Sequence, residues 1–200
     1  MAAPIDFYFD FSSPYGYFAS TRIEALAAKA GREVTWRPIL LGAAFKVTGG
    51  VPLPMVPLKG DYSKRDFARS AGFHGIAYRQ PTVFPISSQA PARAFYWMDA
   101  KDPAKAKALA AALYSAYFVD DINISNPADT VAVSAKFGLD PAEVEAAINE
   151  PSIKERLKAE VEQAIARGVF GSPYIVVDSE PFWGMDRLDQ VEKWLATGGW

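Results

Sequence analysis

Residues 9–16, Phe9-Asp10-Phe11-Ser12-Ser13-Pro14-Tyr15-Gly16, carry an alternating segment straight into a helix start. Upstream, Ile5, Phe7, Phe9 and Phe11 alternate with Asp6, Tyr8 and Asp10, which is the period of a β-strand. Ser13 followed by Pro14 reads as N-cap and first helical residue, because proline lacks only a donor that this position leaves unused. A strand that ends at a helix N-terminus presents free N–H groups and the positive end of the helix dipole, so an anion is favoured there. The Ser13 hydroxyl stands at the same point. As a bare motif, Ser-Pro is far more often a cap and nothing else.

Outward from this junction, Tyr17, Phe18, Ile23, Leu26 and Ala27 keep helical spacing and predict one helix that stops at Gly31. Val34, Trp36 and Pro38 alternate with Thr35 and Arg37, so a second strand follows, and strand, helix and strand make a βαβ unit with parallel strands. Glycine and proline from Gly42 to about Asp61 predict a long surface connection with no regular element, Lys59 lying at its end. A helical block follows: Ser63–Ala71, Ser88–Met98, and a stripe of Ala106, Leu109, Ala110, Leu113 and Tyr117. Asn126-Pro127 and Asp140-Pro141 each open a helix, and Ser152 with Glu155 reads as the cap of a last one, closed by Gly168. The period then returns to two. Tyr174–Val177 is a strand, Asp178-Ser179-Glu180 a turn, Pro181–Trp183 its partner, and Asp186 caps a final helix bearing Leu188, Val191, Trp194 and Leu195. The chain therefore reads as an α/β core, residues 1–45 and 169–200, with a helical domain, 46–168, inserted between a βαβ and a ββα unit.

The chain has 200 residues with a net charge of −2, which argues against a nucleic-acid partner or an anionic membrane surface. No apolar run reaches the length of a membrane span, and no basic segment precedes the N-terminal apolar residues, so the cytoplasm is the expected compartment. Cysteine is absent, which excludes disulfide exchange, cysteine nucleophiles and thiolate metal sites on the protein itself. The single histidine, His74, has no Gly-x-Ser-x-Gly elbow to serve and reads as a loop or helix-end residue. No metal site is expected.

The 9–15 stretch, Lys59, Phe84-Pro85, Gly168-Val169-Phe170-Gly171-Ser172-Pro173 and Phe182-Trp183-Gly184-Met185-Asp186-Arg187-Leu188 occur here in one order. Together they resemble the 2-hydroxychromene-2-carboxylate isomerases, glutathione-dependent enzymes related to kappa-class glutathione transferases and to thioredoxin-fold disulfide oxidoreductases. The resemblance covers essentially the whole chain. It implies a thioredoxin-like core interrupted by a helical domain, a homodimer, and glutathione as the source of the thiol that the chain lacks. It implies that Ser13 is catalytic and donates a hydrogen bond to the glutathione thiolate. Ser172-Pro173 would be a cis peptide whose Ser172 backbone pairs with glutathione. Asp186 would take its γ-glutamyl ammonium, the N–H groups of Asp186 and Arg187 its α-carboxylate, and Lys59 the glycyl carboxylate or the acidic substrate. The implied substrate is an aromatic keto acid, interconverted with its cyclic hemiketal. One departure is Gly50, where the family pattern has asparagine after Thr48-Gly49. A kappa-like transferase or peroxidase and a non-catalytic thioredoxin-like module are the alternatives.

Overall fold

A computed structural model describes residues 3–200. The N-terminal alternation forms β1 (Ile5–Phe9), shorter than its pattern because Asp10 turns back on the chain. Its carboxylate accepts the Ser12 N–H at 2.7 Å, which starts a turn in place of another strand residue. The expected single helix is two: α1 (Pro14–Ser20) and α2 (Ile23–Lys29). The break has a local cause. The hydroxyls of Ser20 and Thr21 donate back to the carbonyls of Tyr17 and Phe18, at 2.7 and 2.8 Å, and compete for the acceptors that the next turn would use.

After β2 (Val34–Pro38) the chain forms α3 (Leu41–Thr48), where the sequence predicts an irregular connection. No local residue caps this helix; the orphan Leu41 N–H instead donates 2.6 Å to the carboxylate of Asp10. Gly49, left-handed at φ 72°, ends it. A one-turn 3-10 helix at Leu53–Met55 leads to α4 (Lys59–His74), so His74 is a helix-terminal residue. The helical block continues with α5 (Gln89–Asp99), α6 (Pro103–Phe118), α7 (Pro127–Lys136), α8 (Pro141–Asn149) and α9 (Pro151–Ala166). Asp102, Asn126 and Asp140 cap α6, α7 and α8 through their side chains. Ser152 does not cap α9: Pro151 takes the first helical position and Ser152 falls inside the first turn.

The chain returns to the sheet as β3 (Tyr174–Val177) and β4 (Glu180–Trp183), joined by Asp178 and Ser179, both at positive φ as a tight hairpin requires. A 3-10 turn at Met185–Arg187 precedes α10 (Leu188–Thr197). The strand order is β2-β1-β3-β4, with β1 parallel to β2 and antiparallel to β3. β1 is central, and Phe7, Tyr8, Phe9 and Asp10 are all buried because both sheet faces are covered. The helical block is fastened to the sheet by aromatic contacts of Phe9 with Phe95 and Tyr114, and by the Tyr96 hydroxyl, which donates 2.9 Å to the Pro38 carbonyl. Among the described residues no helix is long and apolar enough to cross a membrane.

Candidate functional site

Ser13 sits between β1 and α1 in extended conformation, and its Oγ accepts the Gly16 N–H at 3.0 Å, so it is the N-cap that the sequence predicts. The same hydroxyl donates 2.9 Å to the Ser172 carbonyl, 159 residues later. The Ser172–Pro173 peptide is cis, as the resemblance implies. A second cis bond, Phe84–Pro85, docks beside it, since the Ile86 N–H donates 3.1 Å to the Ser12 hydroxyl. Each serine of the Ser12-Ser13 pair thus holds a cis-proline loop. Proline leaves the first turn with few donors, and among the described residues the Tyr15 N–H meets no acceptor.

Asp10 is the centre of this arrangement. Its N–H donates 2.9 Å to Ser172 Oγ, and its carbonyl accepts both the Ser13 N–H and the Tyr114 hydroxyl at 2.9 Å. Its carboxylate takes the Ser12 and Leu41 amides, and the Ser88 hydroxyl bears on it as well. Burial raises the Asp10 pKa above the ordinary carboxylate value, and these three donors offset part of that rise. Of the seven buried polar or charged residues among those described, four (Asp10, Ser13, Ser88 and Ser172) belong to this one cluster. Burying a polar group costs free energy unless it is paired, so their concentration here marks the polar centre of an otherwise apolar core. The space is full. A Cβ on Gly16 would lie 2.7 Å from Ser172 Oγ, 2.9 Å from Tyr114 Oη and 3.2 Å from Ser13 Cβ.

The neighbouring Tyr15 hydroxyl donates to Asp66 of α4, and the Tyr15 ring packs edge-on against Phe67. Burial first, then Asp66, raises the Tyr15 phenol well above its ordinary value, with smaller contributions from Tyr62 and Asp186. Asp66 is held below the ordinary carboxylate value because its hydrogen bonds from Tyr15 and Arg69 outweigh its partial burial.

The structure joins Ser13, Ser172 and Pro173 directly. The Pro173 carbonyl accepts the Gly184 N–H at 3.0 Å, which carries the chain on to Asp186 and Arg187 beside α1. Asp186 does not cap the final helix: it lies in the 3-10 turn before α10, where its carboxylate pairs at 2.9 Å with its neighbour Arg187. Gly184 makes room for this, at φ 108°, since a Cβ there would lie 2.3 Å from Asp186 Oδ1. Lys59 is the exposed first residue of α4, the helix whose Asp66, seven residues further on, takes the Tyr15 hydroxyl. Gly50 follows the left-handed cap of α3, where a Cβ would come 3.1 Å from the Phe45 ring. Two cavities in the helical block, of about 240 and 380 Å³, share no residue with this cluster. Sequence reasoning missed Asp10, Gly16 and Tyr114. An acid inside an aromatic strand was the available signal for the first; the other two depend on packing.

Comparison with known proteins agrees with the fold. Residues 4–196 match the DsbA-like thioredoxin domain. The 2-hydroxychromene-2-carboxylate isomerase of Pseudomonas putida is 33% identical over 194 residues, covering 94% of this chain and 92% of that protein. A glutathione S-transferase kappa 2 of Caenorhabditis elegans is 24% identical, covering 96% and 91%. A solved structure of a selenomethionine 2-hydroxychromene-2-carboxylate isomerase superposes with a TM-score of 0.86 at 30% identity, covering 96% of this chain and 94% of that one. The chain belongs to the 2-hydroxychromene-2-carboxylate isomerase family of DsbA-like thioredoxin-fold proteins.

Proposed function

We propose that this protein is a glutathione-dependent isomerase that interconverts 2-hydroxychromene-2-carboxylate and trans-o-hydroxybenzylidenepyruvate. Family membership supports the reaction class. The observation that carries the assignment to this site is Ser13: a buried hydroxyl at a strand-to-helix junction, beside a cis-proline, in a chain without cysteine. The donor set suits a peptide thiol. A hydroxyl and an amide without an acceptor, at Ser13 and Tyr15, are what a sulfur anion needs, and Asp186 is an exposed carboxylate fit for an ammonium. Glutathione, when bound, supplies a thiolate that adds to the conjugated double bond of the ring-opened keto acid and leaves after rotation.

The residues of the chain then have separable tasks. Ser13 holds the thiolate by donating its hydroxyl proton, which in the free chain is directed at the neutral Ser172 carbonyl. A charged acceptor forms the stronger bond, about 1.5–3 against about 0.5–1.5 kcal/mol, so the hydroxyl turns toward it. Each pH unit by which the thiol falls from its ordinary value near ~8.5 corresponds to about 1.4 kcal/mol of this preference. Because α1 has only seven residues, the local donors carry the effect more than a long helix dipole does. Ser172 presents backbone to the glutathione peptide, Asp186 and Arg187 take its γ-glutamyl end, and Lys59 a carboxylate. Calorimetric titration with glutathione, followed by the chromene isomerisation assay, tests the proposal. Binding with glutathione-dependent isomerisation is expected. Absence of binding up to millimolar glutathione would leave a non-catalytic module, and turnover of chlorodinitrobenzene without isomerisation would leave a transferase.

A further inference from the structure

We infer that Asp10 is a positioning residue for Ser13: its buried carboxylate, by holding the Ser12 and Leu41 amides together, sets the turn that aims the Ser13 hydroxyl. The inference rests on the reading of Ser13 given above. Both groups to which Ser13 donates lead back to Asp10. The Ser13 N–H donates to its carbonyl, and the Ser172 residue that receives the Ser13 hydroxyl is itself held by the Asp10 N–H through Ser172 Oγ. The carboxylate adds what the backbone alone lacks. One oxygen accepts the Ser12 N–H at 2.7 Å and the other the Leu41 N–H at 2.6 Å, so one side chain spans the serine turn and the start of α3. Asp10 is 3% exposed and forms no ion pair among the described residues, so backbone amides and the Ser88 hydroxyl are the partners of its carboxyl group. Burying an acid this way is costly compared with an apolar residue, unless the geometry it imposes is used. An amide side chain at this place could accept with one atom only, and its NH₂ would face an N–H.

The test uses a thiol as a reporter at position 13. In the full-length Ser13→Cys protein the thiol is titrated by thiolate absorbance, and its alkylation rate is measured at pH 7, with no glutathione present. The same measurements follow on Ser13→Cys/Asp10→Asn. A carboxylate acting only through its charge disfavours a nearby thiolate, so its removal would lower the thiol pKa. A positioning carboxylate acts with the opposite sign: the Asn variant should raise the pKa by about one pH unit and slow alkylation about tenfold. If the Asn variant fails to fold, Leu41→Pro in the Ser13→Cys protein replaces it. Leu41 is the first residue of α3, where proline is accommodated, and Leu40 at φ −111° and ψ 103° suits a residue before proline. That change deletes a single amide donor to Asp10 and should move the pKa upward by a smaller amount. An unchanged or lowered pKa in the folded variants would overturn the inference. Because the thiol is read without glutathione or substrate, an inactive wild-type protein would count against the isomerase proposal and leave this result standing.

Discussion

Gly16→Ala is expected to destabilise the protein although it replaces glycine by alanine in a helix. On propensity alone the change should gain up to about 1 kcal/mol. The added Cβ, however, would meet Ser172 Oγ at 2.7 Å, Tyr114 Oη at 2.9 Å and Ser13 Cβ at 3.2 Å, all on residues that are themselves buried. Overpacking of this kind costs about 1–3 kcal/mol. Both hydroxyls are bonded to the Asp10 backbone, so displacing either leaves a buried polar group unpaired, for about 1–3 kcal/mol more. The net loss is about 1–5 kcal/mol, and at roughly 2–4 °C per kcal/mol for a chain of this size the melting temperature should fall by several degrees. Gly72→Ala is the control. It lies in α4 with nothing within 4 Å of its would-be Cβ and should stabilise by up to about 1 kcal/mol. Urea denaturation of both variants against wild type reads the difference. Equal stabilisation by the two changes would mean that the Ser172 and Tyr114 hydroxyls do not stand where the site requires them.

Ser13→Ala should keep the fold, lower glutathione-dependent isomerisation by one to three decades, about 1.4–4 kcal/mol, and cost about 1 kcal/mol of stability as a lost cap; an unchanged rate at saturating glutathione would remove Ser13 from the mechanism. Lys59→Ala should raise the KM of glutathione or of the acidic substrate about tenfold and change kcat less than twofold, whereas unaltered KM values for both would make Lys59 an ordinary surface lysine. Tyr15→Phe should cost about 1 kcal/mol at neutral pH, because Asp66 is partly exposed. Asp66 is held below 3.8 by Tyr15 and Arg69 against its burial, so its contribution is complete above that pH and is lost as pH falls through the folded value. The Tyr15→Phe deficit should therefore shrink below pH 3.8 in denaturation curves, and a deficit constant from pH 7 to pH 3 would refute the pairing.

The strands and most helices were legible because their signals are local. Alternation marks β1 and β2, and Asn126-Pro127 and Asp140-Pro141 put cap and first helical residue side by side. Two of the misreadings share a cause. α3 was missed because its N-terminal donor is satisfied by Asp10, 31 residues earlier, and the glycines around it suggest a loop. The break between α1 and α2 was missed because Ser20 and Thr21 act through hydroxyl orientation, which spacing does not record. In both cases a side chain took a backbone partner that a local pattern assigns elsewhere.

From residue patterns alone the site was legible at one end, while Ser172-Pro173, Asp186 and Lys59 entered only through the family resemblance. Ser13-Pro14 announces a capped helix, and a chain without cysteine narrows what such a serine can replace. What makes it more than a cap lies far away along the chain: Ser172 is 159 residues off and tied to the junction in sequence only by the family motif, and Tyr114 is 104 residues from Asp10 with no sequence pattern linking it. These bonds exist because β3 pairs antiparallel with β1, setting Tyr174 opposite Tyr8, which brings Ser172 past the end of β1. The residues that meet there are nearly buried and must largely satisfy one another, since unpaired buried groups cost free energy. Gly16 follows from the same closure. Once two hydroxyls are drawn onto the Asp10 backbone, the first turn of α1 has no volume left for a methyl group.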